Sequence, residues 1–105
     1  MIKPVRIDAE AEQELAFADL WYERRRPGLG GAFVAAVRAA SHRIARHPRQ
    51  FRLAPGVSPS LGVRRCLLRR FPYAIVFLEL EDEIRVLAVA HLHRRPAYWR
   101  GRLKR

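Results

Sequence analysis

Apolar and polar positions follow three regimes along this chain. Ile2, Val5 and Ile7 are branched at Cβ and predict a short opening strand over residues 2–7, with Pro4 assigning it to a sheet edge. From Ala9 to about Arg25, Ala11, Leu15, Ala18 and Tyr22 recur at helical spacing, with Phe17, Leu20 and Trp21 beside them. Asp8 is the expected N-cap, and the acids after it favour the positive end of the helix dipole. Pro27-Gly28 ends this helix. A second helix is predicted from about Leu29 to His47 on the stripe Phe33, Val37, Ala40 and Ile44, and Pro48 stops it. The short link makes the pair an antiparallel hairpin.

Residues 48–62 break the periodicity with Pro48, Pro55, Gly56, Pro59 and Gly62, which predicts a loop with room for a short strand near Phe51–Leu53. Strand patterns then follow over Val63–Arg70, Tyr73–Leu80 and Ile84–His91. The first alternates in part, the second is apolar on both faces and belongs at the sheet centre, and the third aligns Ile84, Val86, Ala88 and Ala90 on one face. Residues 96–105 are expected to form a helical turn or to wrap back over the sheet. The order β-α-α-β-β-β predicts an α+β fold over residues 1–105 as one domain, a helical hairpin packed on a small, mainly antiparallel sheet.

Charge changes this picture more than composition does. The 105 residues carry 21 Lys and Arg against 10 Asp and Glu, a formal net of +11, which favours an anionic partner. The excess is uneven: residues 1–23 hold six acids and two bases, and the other 82 residues carry a net of +15. Nineteen of the 21 cations are Arg, a side chain suited to bidentate contact with phosphate or carboxylate. Codon bias of a GC-rich genome is the alternative origin. The single cysteine, Cys66, excludes an internal disulfide and reads as a small core residue. No apolar run reaches the ~18 residues of a membrane span, and the N-terminus lacks the apolar core of a secretory signal. A cytoplasmic protein without membrane contact is the expectation.

No strong enzyme motif is present. Gly28, Gly30 and Gly31 precede a helix without the Lys-Ser/Thr of a phosphate loop. His91 and His93 are too few for a zinc site, so neither metal nor cofactor is expected. His47 suits a helix C-terminus, near His42. What remains is a basic and aromatic constellation. Arg64, Arg65, Arg69 and Arg70 bracket one predicted strand, alternation sending Arg65 and Arg69 to one face and Arg64 and Arg70 to the other. The segment His91-Leu92-His93-Arg94-Arg95-Pro96-Ala97-Tyr98-Trp99-Arg100 adds two imidazoles, three guanidiniums and two rings. Such groups hold phosphates, stack on bases and move protons near neutral pH. The competing reading is a basic tail whose Tyr98 and Trp99 cover the core.

The stretches Gly62 to Phe77 and Ile84 to Trp99, with Phe71-Pro72-Tyr73 and a His91-Leu-His-Arg-Arg-Pro-Ala-Tyr-Trp99 ending, resemble the RelE/ParE superfamily of type II toxin–antitoxin toxins, often called plasmid stabilisation proteins. The resemblance covers nearly the whole chain and implies the fold read above from the residues. It also implies a growth-arresting toxin neutralised by a cognate acidic antitoxin in a hetero-oligomer. Two activities follow from it: ParE-like inhibition of DNA gyrase, or RelE-like cleavage of messenger RNA on the ribosome. In the ribonuclease case His91, Arg95 and Tyr98 are the candidate catalytic base, clamp and acid. Arg64, Arg65, Arg69, Arg70, His93, Arg94 and Arg100 are the candidate target-binding residues in either case. RelE-like nucleases commonly carry an arginine after the tyrosine of the central strand, where this chain has Ala74, and the ParE-like or an unassigned target is therefore preferred. A non-catalytic nucleic-acid-binding module is a further alternative from charge alone, although no aromatic strand motif or GXXG clamp supports it. An inactive toxin scaffold that only binds its antitoxin is another.

Overall fold

The computed structural model describes residues 2–104. Strand β1 (Val5–Ile7) leads into helices α1 (Ala9–Arg25) and α2 (Leu29–Arg46), and strands β2 (Arg64–Leu67), β3 (Tyr73–Glu79) and β4 (Ile84–His91) follow. The sheet order is β1-β4-β3-β2, with β1 parallel to β4 and the other pairs antiparallel. The α+β order expected from the periodicity is the one observed, and Pro4 does precede an edge strand.

The α2 stripe is the principal reason for the hairpin's placement. Phe33, Val37, Ala40 and Ile44 are all buried, and they meet Cys66, Ile75, Phe77, Ile84, Val86 and Val89 of the sheet. Tyr22, Phe33, Phe71 and Tyr73 pack edge-on or tilted at 4.9–5.3 Å between adjacent rings, locking α1 and α2 to one end of β3. At the hairpin turn Gly28 takes φ +89°, and its N–H and that of Gly30 donate to the Glu23 carboxylate. The glycines are thus a turn whose helix terminus is already satisfied by an acid of the same chain.

The opposite face of the sheet is also covered. Residues 96–104 wrap back over it and end in a 3₁₀ turn, Arg100–Lys104, so both expectations for the tail are met. Trp99, 4% exposed, enters a second core with Ala54, Val63, Val76, Leu87, Ala88 and Ala90. Gly56, at φ +90°, permits this approach: a Cβ there would lie 2.9 Å from the Cβ of Ala97.

Three local expectations need correction. Ile84, Val86, Ala88 and Ala90 do not share a face, because Val76 pairs with Ala88 while Phe77 pairs with Val86, leaving Leu87 as the extra residue of a bulge. Ile84 and Val86 therefore face the helices, and Leu87, Ala88 and Ala90 face the tail. Strand β2 stops at Leu67 rather than Arg70, since buried Leu68 and Phe71 fold inward and Leu68 N–H bonds to the Tyr73 carbonyl. The stretch near Phe51–Leu53 makes only an isolated bridge, Leu53 to Arg64.

Candidate functional site

The C-terminal segment is held against α1 by one carboxylate. Glu14 Oε1 accepts from the Val89 N–H at 3.0 Å, and its Oε2 accepts from the Tyr98 hydroxyl at 2.5 Å. Arg102 donates to both oxygens of Glu14 at 3.0 Å and to the Leu87 carbonyl at 2.8 Å. Four donors thus converge on one acid of the α1 face, which satisfies the edge of β4 beyond the short β1. A second clamp lies at the start of the same helix: Arg85, buried within β4, grips Asp8 through two nitrogens at 2.8–2.9 Å and donates to the Arg102 carbonyl. Asp8 does occupy the N-cap position, but its side chain serves Arg85 rather than the helix amides.

Beside this clamp lies a cleft of about 790 Å³, lined by Phe17, Trp21, Tyr73, His91, Arg94 and Tyr98 among others. The Arg94 guanidinium stands 3.9 Å from the Tyr98 ring centroid. His91 packs edge-on to Tyr73 and to His93, each at 5.0 Å, and its Nδ1 accepts the His93 backbone N–H. In a neutral His91 the ring proton then belongs on Nε2. Burial and the Glu14 carboxylate push the Tyr98 phenol well above its ordinary value of 10.0. The hydroxyl is a donor already engaged, a poor proton acceptor near neutral pH.

The predicted site residues divide between several places. His91, Arg94 and Tyr98 come together at the cleft, and the same three meet Arg65, Arg95 and Ala74 around a small depression of about 70 Å³ on the tail side. Ala74, 1% exposed, thus lies on the side of Tyr98, beneath Pro96, Ala97 and Trp99. The four strand arginines do not form one groove. Arg64 turns to donate to the Phe51 carbonyl, Arg65 borders the depression, and Arg69 and Arg70 are exposed in the turn after β2, where alternation no longer applies. Arg100 is exposed and bonds the Gly56 carbonyl. Cys66 is buried among apolar neighbours, and burial raises its thiol pKa. No group of three His, Cys, Asp or Glu side chains among the described residues converges as metal ligands.

Sequence reasoning missed Glu14, Arg85 and Arg102. An arginine inside the otherwise apolar Ile84–Ala90 run was the available signal, because a buried cation demands a carboxylate. Arg102 carried no such mark.

Comparison with solved structures places this architecture. A chain from the "Chromosomal ParDE TA system from P. aeruginosa" superposes with a TM-score of 0.74 at 19% identity, covering 88% of this chain and 98% of that one. The fold is ParE-like. No family model matches the sequence, and no curated protein does. At that identity the likeness is one of fold, so activity rests on the site itself. Among the described residues no helix is long and apolar enough to cross a membrane.

Proposed function

We propose that this chain is the toxin of a type II toxin–antitoxin pair, acting in the cytoplasm by docking on its target rather than by cutting RNA. The observation that carries the docking mode is the Tyr98 hydroxyl, spent on Glu14 and held protonated. Cleavage of RNA needs a base for the 2′-hydroxyl, a cationic clamp on the scissile phosphate and an acid for the leaving 5′-oxygen. Tyr98, the candidate acid, donates its hydrogen bond to Glu14 instead, and the buried Ala74 adds no cation beside it. DNA gyrase is the preferred target, by resemblance to the ParE branch.

Neutralisation would come from an acidic antitoxin segment on the β2 edge and the tail. From Arg24 to Leu78 the sequence has no acid, and a groove of about 460 Å³ there is lined by Arg52, Leu53, Pro55, Arg65 and Leu67. Exposed Leu53 and Leu67 supply apolar anchors between cations, the composition that suits an acidic, amphipathic chain. Arg94, Arg95, His93 and Arg100 extend the same positive surface along the tail.

The test is tightly induced expression without antitoxin, followed by pulse labelling of DNA and protein synthesis. DNA synthesis should fail first. Early arrest of protein synthesis with cleaved messenger would instead establish the RelE-like ribonuclease reading, with His91, Arg95 and Tyr98 as its residues. No growth effect, together with salt-sensitive binding to bare nucleic acid, would favour a simple binding module.

A further inference from the structure

Strand β1 is one free margin of the sheet, since β4 is its only neighbour. The Ile84 N–H donates to the Pro4 carbonyl and the Asp8 N–H donates to the Val86 carbonyl, so residues 4, 6 and 8 turn their backbone groups towards β4. Val5 and Ile7 therefore turn an N–H and a C=O each to the outer side, the row that a further strand would pair with. Pro4 lacks only an N–H that would point at β4, so it leaves this outer row intact. Beside the row runs a groove of about 450 Å³ between β1 and α2. Leu15, Val34 and Val37 give it apolar walls and Lys3, Arg38 and His42 give it basic ones, with no carboxylate in the lining.

We propose that this edge binds an extended, acidic polypeptide segment of a partner, which adds to the sheet as a strand outside β1. The backbone row selects an extended chain, because a strand offers donors and acceptors at matching intervals. The lining selects its side chains. Val5 and Ile7 pack towards the helices, and alternation sends Arg6 to the opposite face. A segment that alternates apolar and acidic residues thus sets its acids beside Lys3, Arg38 and His42 or, in the other register, beside Arg6. Lys3 and Arg6 already meet Glu79 and Glu83, whereas Arg38 is exposed on a helix whose sequence has no acid.

A second copy of the chain suits this edge poorly. Exchanging the Val5 and Ile7 bonds about a two-fold axis sets Arg6 opposite Arg6, between chains that each carry a net +11. Strands β1 and β2 are opposite margins of the sheet, so the surface is separate from the one proposed for an antitoxin. The inference rests on the fold and is independent of the toxin reading.

Titrating the isotope-labelled chain with the acetylated, amidated peptide Val-Glu-Val-Glu-Val, followed by amide NMR spectra, tests it. The Val5 and Ile7 amides should shift most, with a dissociation constant of about 0.5 mM, and Val-Lys-Val-Lys-Val should leave them in place. Arg38→Glu with His42→Glu, both exposed, should weaken the acidic peptide at least ~10-fold with an unchanged circular dichroism spectrum. Val5→Pro removes an outward N–H and should weaken binding more than Val5→Ala, which loses similar packing and keeps the donor. No shift at about 5 mM peptide overturns the proposal. So do equal shifts with the lysine peptide, shifts centred on Leu53 and Leu67, or unchanged binding by the doubly substituted helix. Val5 and Ile7 amides that move on dilution of the chain alone would give the edge to a second copy and overturn it too.

Discussion

On its helical face the sheet meets four side chains of α2 and a ring cluster; on its other face it meets Trp99, Ala97, Ala54 and a polypeptide tail with little regular structure. The first contact is built from large apolar residues that any regular hairpin delivers by periodicity. The second is built from alanines, two valines, Leu87 and one tryptophan, and is held at its margin by Glu14, Arg102, Tyr98, Asp8 and Arg85. A sheet face covered by a tail therefore needs ion pairs and hydrogen bonds where a face covered by helices needs only packing. Of the residues considered for function, Arg65, Arg94, Arg95, Tyr98 and Arg100 sit on that second, polar-stapled side, while Arg69 and Arg70 lie in the turn after β2.

The difference can be broken from either direction. Phe33→Ala should cost about 4 kcal/mol in urea unfolding and lower amide protection throughout, because it empties the centre of the helical core. Trp99→Ala removes a side chain of similar size, for a loss of about 3 kcal/mol, yet hydrogen exchange should quicken mainly over residues 95–104. Uniform deprotection by Trp99→Ala would show that the two cores unfold as one. Arg85→Met leaves the Asp8 carboxylate buried without its strongest partner and should cost about 3 kcal/mol, part of it recovered by adding Asp8→Asn.

Smaller changes sharpen the contrast. Gly56→Ala forces a side chain onto a backbone at φ +90° and against Ala97, for about 1.5 kcal/mol measured at the tail. The alkaline response is the mildest. The Tyr98 phenol has its pKa raised on folding, so stability is level below the ordinary value of 10.0 and falls as pH rises beyond it, where the unfolded chain loses this proton first. Tyr98→Phe should flatten that alkaline fall and remove a high-titrating phenol from the absorbance titration, while Tyr22 and Tyr73, also raised by burial, remain.

The helical half of this comparison was legible in the sequence and the tail half only in part. The α2 stripe and the Pro27-Gly28 turn fix the hairpin locally, and the apolar Tyr73–Leu80 run marks an inner strand. The bulge at Leu87 was invisible because the residues around it, Val86 to Ala90, are all apolar, so either face accepts them. Trp99 covers the core, one of the two roles its sequence context allows. Glu14 is one of several acids near a helix start, and its partner Arg102 lies 88 residues further on. Asp8 and Arg85 are separated by 77 residues, and only the fold brings them together. Long-range polar pairs leave no periodic trace, unlike packing faces.

The same clamp decides whether Tyr98 holds the tail or drives chemistry. Growth arrest by the wild-type chain and by Tyr98→Phe, compared at matched expression and with circular dichroism confirming both folds, separates the two roles most directly. Phenylalanine keeps the ring beneath Arg94 and loses only the bond to Glu14, so arrest within about twofold of wild type is the expected result, with no transition-state role for the phenol. A fall in potency of about 10²-fold or more in a folded Tyr98→Phe protein would contradict it and make that hydroxyl catalytic.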